Sequence, residues 1–412
     1  MPHPAVAVAT VLKRGALDRL SPPERQYVTS LKRRAREDVV RLLRDDASAK
    51  RASAAADSPL RIRVLQSALA EPVRMSIFEE LAVSRSEKYT QWVQRAVMLP
   101  LHTSTPLPHG HLPPRLALAE SKRLMDEAVT GFEDAKTEVL KILSQTHARG
   151  CSIGCSIGLE GPPGIGKTHF VRTAFALATG RPLVDIPLGG AADVSYLMGQ
   201  LYPYEGSREG RLAAGLIEAG CCDPIVFFDE VDKVSETERG RELIAALIHL
   251  TDPTSNTCLR DRWFHGIDLD FSRCIFVFSY NDPSRISSIL LDRIRRMHIR
   301  LPTEPERGDI IARHIVPRTM RRINTRHYLH SDSIAWLAAQ SAEEGGGMRN
   351  TERDVAHILT AVQLESMQTG PDDADAAGSS TSIPHPRVVK LLQARPSAEK
   401  RSPGDAIFSM YT

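Results

Sequence analysis

No stretch of the sequence approaches the ~18 uninterrupted apolar residues that a membrane-spanning helix needs. Charge of one sign is not in excess either: 53 Lys and Arg stand against 50 Asp and Glu, a net charge of +3. That balance argues against a general nucleic-acid binder, which needs a basic excess to meet phosphates. Metal-type cysteine spacing is missing as well. Of the six cysteines, Cys221 and Cys222 are adjacent, Cys258 and Cys274 stand alone, and Cys151 and Cys155 sit in the small repeat CSIGCSIG. Zinc would need a second Cys or His pair at similar spacing. The reading is therefore free thiols in a reducing, cytoplasmic compartment. The opening MPHPAVAVATVLKRGALDRL is mildly apolar and basic but lacks the Ser and Arg richness of an organelle transit peptide. Organelle targeting stays open as the alternative.

What is present is ordinary globular material, 42% hydrophobic and 25% charged, long enough for two or three domains. Residues 1–59 read as a basic N-terminal region, partly helical in ERQYVTSLKRRAREDVVRLL and closing in the linker ASAKRASAAADSP. Residues 60–116 read as a helical segment that ends in a Pro-rich hinge, STPLPHGHLPP. The stretch SKRLMDEAVTGFEDAKTEVLKILSQ predicts two helices around Gly131, with Phe132, Ala135, Val139 and Ile142 on one face. Within 117–302, short apolar runs alternate with helical ones. The strand candidates are 156–160, 182–186, 224–228, 274–280 and 297–301. Such alternation predicts an α/β fold, a parallel five-stranded sheet covered by helices. Residues 303–368 turn helical, and 369–412, rich in Asp, Ala, Ser and Pro, read as a poorly ordered tail.

The strongest motif is Gly161-Pro162-Pro163-Gly164-Ile165-Gly166-Lys167-Thr168, set between the strand-like CSIGLE and the helical HFVRTAFALATG. Glycines let backbone N–H groups turn inward around phosphates, and the helix N-terminus adds partial positive charge. Lys167 is the residue type that meets β- and γ-phosphates. The Thr168 hydroxyl suits Mg²⁺. ATP with Mg²⁺ is thus the expected ligand.

A second signal is IVFFDE, four apolar residues followed by Asp229 and Glu230. At the carboxyl edge of a parallel sheet these acids would sit beside the phosphate loop. Asp229 can hold Mg²⁺, and Glu230 can polarise an attacking water as general base. The next strand candidate ends at Asn281, an amide able to orient the same water. Charge on a transferred phosphoryl also calls for an arginine, an effect of roughly 10³–10⁵ in rate. Arg293, Arg295, Arg296 and Arg349 are candidates that pattern does not separate.

From about residue 60 to 368 the chain resembles the ATPase half of the Lon proteases, a branch of the AAA+ family. GPPGIGKT, DIPLGGAAD, FFDEVDK, LTDPTSN, LLDR and EEGGGMRN fall in Lon order with near-Lon spacing. LMDEAVTGFEDAKTEVL looks like the Lon helix pair that cups adenine, with Val129, Thr130 and Gly131 at the contact. QWVQRAVMLP resembles the end of the helical segment that precedes the ATPase module. The resemblance implies an AAA+ core with a helical lid, sensor roles for Asn281 and Arg349, and an arginine finger at Arg293. Arg293 would serve a neighbour's nucleotide, which implies a homo-oligomeric ring, usually a hexamer.

The stretch LYPYEGSREG reads as an exposed loop whose Tyr202 and Tyr204 bury nothing within their own chain. It lies where Lon carries its substrate-gripping pore loop, and Tyr204 matches the aromatic residue. Glu205 stands where Lon usually has an aliphatic residue, followed by Gly206. A Lon peptidase domain would need ~100 residues or more, and only about forty follow 368. No Gly-flanked PSAG-like serine is found. The expectation is an ATPase that unfolds, translocates or remodels protein substrates without cutting them, alone or with a separate peptidase or adaptor. The alternatives are an AAA+ ATPase acting on nucleic acid through LKRRAREDVVRLLR, or an ATP-regulated scaffold with little turnover. Trp263 and Arg262 read as structural.

Overall fold

Strand candidates that alternate with helices need a place where both sheet faces are covered. In the computed structural model, which describes residues 20–30, 59–84, 86–190, 193–234, 236–368 and 382–393, they find it. Five strands, β1 (Cys155–Glu160), β2 (Leu183–Pro187), β3 (Ile225–Asp229), β4 (Ile275–Tyr280) and β5 (Arg295–His298), form one sheet. The order is β2-β3-β4-β1-β5, every pairing parallel. Successive residues of β3 and β4 enter opposite cores. Val226, Phe228, Phe276 and Phe278 lie in one buried cluster, and Ile225, Phe227, Ile275 and Val277 in another. That period of two, with apolar residues at every position, is the pattern of a parallel strand covered on both faces.

The second cluster is closed by the helices Pro114–Ala128 and Glu133–Arg149, through Met125, Ala135, Val139, Ile142 and Leu143. Phe132 differs from expectation. It precedes the helix at φ 62°, after Gly131 at φ 81°, and its ring stacks on Phe170 at 4.9 Å. The first cluster is closed partly by the preceding segment. Helices Leu60–Gln66, Glu71–Val83 and Glu87–Ala96 contribute Ile62, Leu65, Phe78, Trp92 and Val93 to it. The short helix Pro22–Ser30 joins them, with Glu24 bonded to Arg61 at 2.8 Å. The basic run LKRRAREDVVRLLR lies outside the described residues.

Beyond the sheet, helices Glu304–Ile310, Val316–Ile323, Ser331–Glu343 and Met348–Gln368 gather around Ile311, Val355, Ile358 and Leu359. The polar composition of 369–412 hides part of this unit. Ser382–Ile383 pairs in parallel with Tyr328–Leu329, and the helix His385–Gln393 follows. Ile383 and Val388 are both fully buried in the same cluster. Two buried aliphatic side chains and a strand pairing outweigh the polar residues around them. All six cysteines are free. Burial pushes the Cys155 thiol up to about 12 and that of Cys274 upward too, so neither is a reactive thiolate. Among the described residues no helix is long and apolar enough to cross a membrane.

Ile383→Ala is expected to destabilise the helical unit by about 2–5 kcal/mol, the cost of truncating a buried aliphatic side chain. Urea unfolding checks this; an unchanged midpoint would mean that 382–393 is not docked.

Candidate active site

Because β3, β4 and β1 are neighbours, the loops leaving their carboxyl ends are neighbours too. Those loops carry the phosphate-loop sequence, the Asp229-Glu230 pair and Asn281. The site therefore follows from strand order, at the edge where ligands bind in such sheets.

After β1 the chain turns at Gly164 (φ 77°) and Gly166 (φ 98°), a left-handed region that side chains avoid. Helical backbone then runs from Lys167 to Thr179. The Lys167 ammonium is buried at the mouth of the loop. It donates to Asn281 Oδ1 at 2.8 Å, to Pro162 O at 3.1 Å and to Gly161 O. Burial lowers its pKa to about 8, partly offset by Asp232, Asp229 and Glu230. Thr168 Oγ1 donates to Asp229 Oδ2 at 2.9 Å. Hydroxyl and carboxylate together are hard oxygen donors of the kind that suits Mg²⁺.

Glu230 adopts φ 60°, ψ 48°, a conformation costing about 1–3 kcal/mol unless its surroundings enforce it. Its surroundings do. The Glu230 N–H donates to Ser279 Oγ at 3.1 Å, and the Ser279 hydroxyl donates to Asp229 Oδ1. The Glu230 carboxylate pairs with Lys233 and lies so near Gly189 that a Cβ there would sit 2.4 Å from Oε2. Asp232 Oδ2 accepts the backbone N–H groups of Asn281 (3.0 Å) and Asp282 (3.2 Å). Ser279 and Asp232 escaped the sequence reading. Each had a faint signal: Ser279 is a polar residue in the fully buried strand IFVFSY, and Asp232 is the last acid of FFDEVDK.

The helical lid reaches this site through GGGMRN. Met348 N–H donates to Gly164 O at 2.8 Å, and a Cβ on Gly347 would stand 2.5 Å from the Gly164 carbonyl carbon. Only glycine allows that approach. Arg349 occupies the first turn of Met348–Gln368, its Cβ beside Gly164. Arg307, buried and overlooked in the sequence, fixes the glycine loop by donating to Gly346 O (2.8 Å) and Pro302 O (3.0 Å). On the other side, Val129 is buried, and the Thr130 hydroxyl shares a hydrogen bond of 3.1 Å with His314 of the lid. Arg293 is not drawn into the group; its guanidinium pairs with Asp252 at 2.6 Å. Hydrogen bonds from Thr254, then from Arg293, hold that carboxyl down at about 2.

Tyr204 is exposed, 66% of its surface open, and Glu205 and Gly206 beside it are exposed too. The expectation that neither tyrosine packs within the chain fails for Tyr202. Its ring is half-buried against Trp92 (6.2 Å) and Trp263 (6.5 Å), with Lys88 Nζ 4.9 Å from its centroid. Trp92 comes from the helical segment before the sheet, a long-range partner that the local sequence did not reveal. Trp263 is buried against Phe264, as a structural residue should be.

Residues 157–304 match the family described as the ATPase family associated with various cellular activities, AAA. A Lon protease homolog of Acanthamoeba polyphaga mimivirus is 33% identical over 245 residues, 58% of this chain and 24% of that protein. The Lon protease of Halothermothrix orenii is 34% identical over 257 residues, 62% of this chain and 32% of that protein. That of Salinispora arenicola is 30% identical over 325 residues, 74% and 40% of the two chains. The chain thus spans less than half the length of the curated relatives it matches.

Residues that orient others at a metal or catalytic centre typically contribute about 10–100-fold. Ser279→Ala is expected to lower ATP turnover by about that factor with nucleotide affinity unchanged, and Ser279→Thr to restore it. Steady-state kinetics beside nucleotide titration separate the two; wild-type turnover in Ser279→Ala would contradict the role.

Proposed function

We propose, on the premise that the chain carries a Lon-like AAA+ ATPase module, that it hydrolyses ATP as a homo-oligomeric ring, a hexamer, and uses the cycle to unfold, translocate or remodel polypeptide. The observation that carries this reading is the convergence of Lys167, Thr168, Asp229, Glu230 and Asn281 at three adjacent strand ends.

The roles of the phosphate-loop and acidic residues follow from chemistry; those of Val129, Thr130, Gly131, Arg293 and Arg349 are what the resemblance to the Lon ATPases implies. Lys167 and the loop amides of Gly161–Thr168, including Pro162, Pro163 and Ile165, cradle the phosphates. Val129, Thr130 and Gly131 cup the adenine. Thr168 and Asp229 would hold Mg²⁺, whose charge screens the phosphates and eases departure of the γ-phosphoryl. Glu230 takes the proton of the attacking water, and Asn281 orients that water. Arg349 contacts the phosphates from the lid. Arg293, released from Asp252, reaches the nucleotide of the neighbouring subunit, which makes the ring necessary for full turnover.

Tyr204, Glu205 and Gly206 are the polypeptide-contacting tip. A tyrosine ring offers a large amphipathic face that accepts most side chains. Several weak contacts around a channel act as linked sites. Glu205 favours basic stretches. Cleavage is no part of the proposal: the sequence holds no Gly-flanked PSAG-like serine, and a separate peptidase or adaptor would act beside it. We assign the work to the cytoplasm. Action on nucleic acid is the weaker reading, because acids balance the basic residues.

Glu230→Gln is expected to retain ATP binding while turnover falls by about 10²–10⁴. Unfolded casein, and not duplex DNA, should stimulate the parent. Equal turnover in Glu230→Gln would leave only a nucleotide-regulated scaffold.

A further inference from the structure

The loop that carries Tyr204 is held by one helix face. Lys88, Trp92 and Arg95 fall at i, i+4 and i+7 on the helix Glu87–Ala96, so they share a side. Each grips a different part of the loop. Lys88 Nζ donates to Tyr204 O at 2.6 Å and lies over the Tyr202 ring. The Trp92 ring meets Tyr202 edge-on. Arg95 Nε donates to Glu209 Oε1 at 2.7 Å. The contacts thus run from tip to stem.

The helix side of this arrangement is itself anchored. Trp92 Nε1 donates to Trp263 O at 2.8 Å, its ring stacks on Tyr89, and it is 7% exposed. The stem is fixed from below: Gly210 N–H donates to Asp261 Oδ2 at 2.8 Å, and Arg262 N–H to Met198 O at 2.7 Å. Between these two anchors the exposed tip runs from Pro203 to Gly206, flanked by exposed Leu201 and Arg208.

We propose that the helix Glu87–Ala96 is a bracket for the polypeptide-contacting loop, with Lys88, Trp92 and Arg95 as positioning residues. The bracket sets the direction of Tyr204, and loop and helix travel as one body when the nucleotide changes. Motion generated at the phosphate site is thereby delivered to the segment that precedes the sheet. Two of the three tethers end on backbone or on Glu209, so the identity of the tip side chains is free to serve the substrate. This inference rests on reading the loop as the polypeptide contact.

The test uses the full chain and the variants Arg95→Glu, Glu209→Arg and the double exchange. Amide hydrogen exchange over residues 201–209 should speed up about tenfold in each single variant and recover in the double. Basal ATP turnover should stay at the parent level throughout, because neither residue touches the nucleotide site. Stimulation by unfolded casein should drop several-fold in the singles, by about the same factor as the lost protection, and return in the double. Unchanged exchange in the single variants, or no recovery in the double, overturns the bracket. A parent chain that casein does not stimulate sinks the polypeptide reading instead, and the exchange result still judges the bracket by itself.

Discussion

A buried ammonium group at the carboxyl edge of a parallel sheet is the constraint on which the rest of the structure depends. Lys167 sits among carbonyls and the Asn281 amide, with no carboxylate of the described residues bonded to it directly. Charge is costly there, which is why burial moves its pKa down to about 8. A polyphosphate is the partner whose charge and oxygen count would offset that cost. The glycines at positive φ, the helix start and the strand order bring donors to the same point. The acids of β3 face it from the next strand but one, close enough to raise its proton affinity and too far to neutralise it.

Around that charge the site is a set of linked backbone positions. Ser279 ties the end of β4 to Asp229 and to the strained Glu230. Asp232 ties the turn after β3 back to Asn281. The lid touches the phosphate loop through Gly347 and Met348, and Arg307 keeps the glycine loop against the hinge carbonyl of Pro302. The phosphate loop is therefore joined by short bonds to the lid, and the Asp229-Glu230 pair to the end of β4. The loop that carries Tyr204 lies between β2 and β3, and the helix Arg211–Ala219 separates its stem from the strand that ends at Asp229.

Much of this was legible in the sequence because the informative features are local. GPPGIGKT, IVFFDE and the alternation of apolar and helical runs declare themselves locally; four of the five strands fell within one residue of their expected bounds, and the last, expected at 297–301, runs over Arg295–His298. The illegible parts depend on partners far away in the chain. Tyr202 looked exposed because Trp92, which shelters it, lies in a helix before the sheet. Residues 382–393 looked loose because two buried aliphatics were diluted by Ser and Pro. Phe132 fitted a helical period but serves at a left-handed turn, where stacking on Phe170 decides its place. Ser279 and Asp232 became visible as orienting groups only once β3 and β4 were adjacent.

The most direct measurement is proton uptake on nucleotide binding, read by titration calorimetry in buffers of different ionisation enthalpy. Without nucleotide, Lys167 releases its proton as pH rises through about 8. Phosphates beside it would raise that value again, so binding at pH ~8.5 should take up most of a proton and binding at pH ~7 only about a tenth of one. Net uptake at the higher pH, absent or much smaller at the lower, is the predicted result. Binding at pH ~8.5 without uptake would mean that the ammonium is not the buried, phosphate-seeking charge around which the site is built.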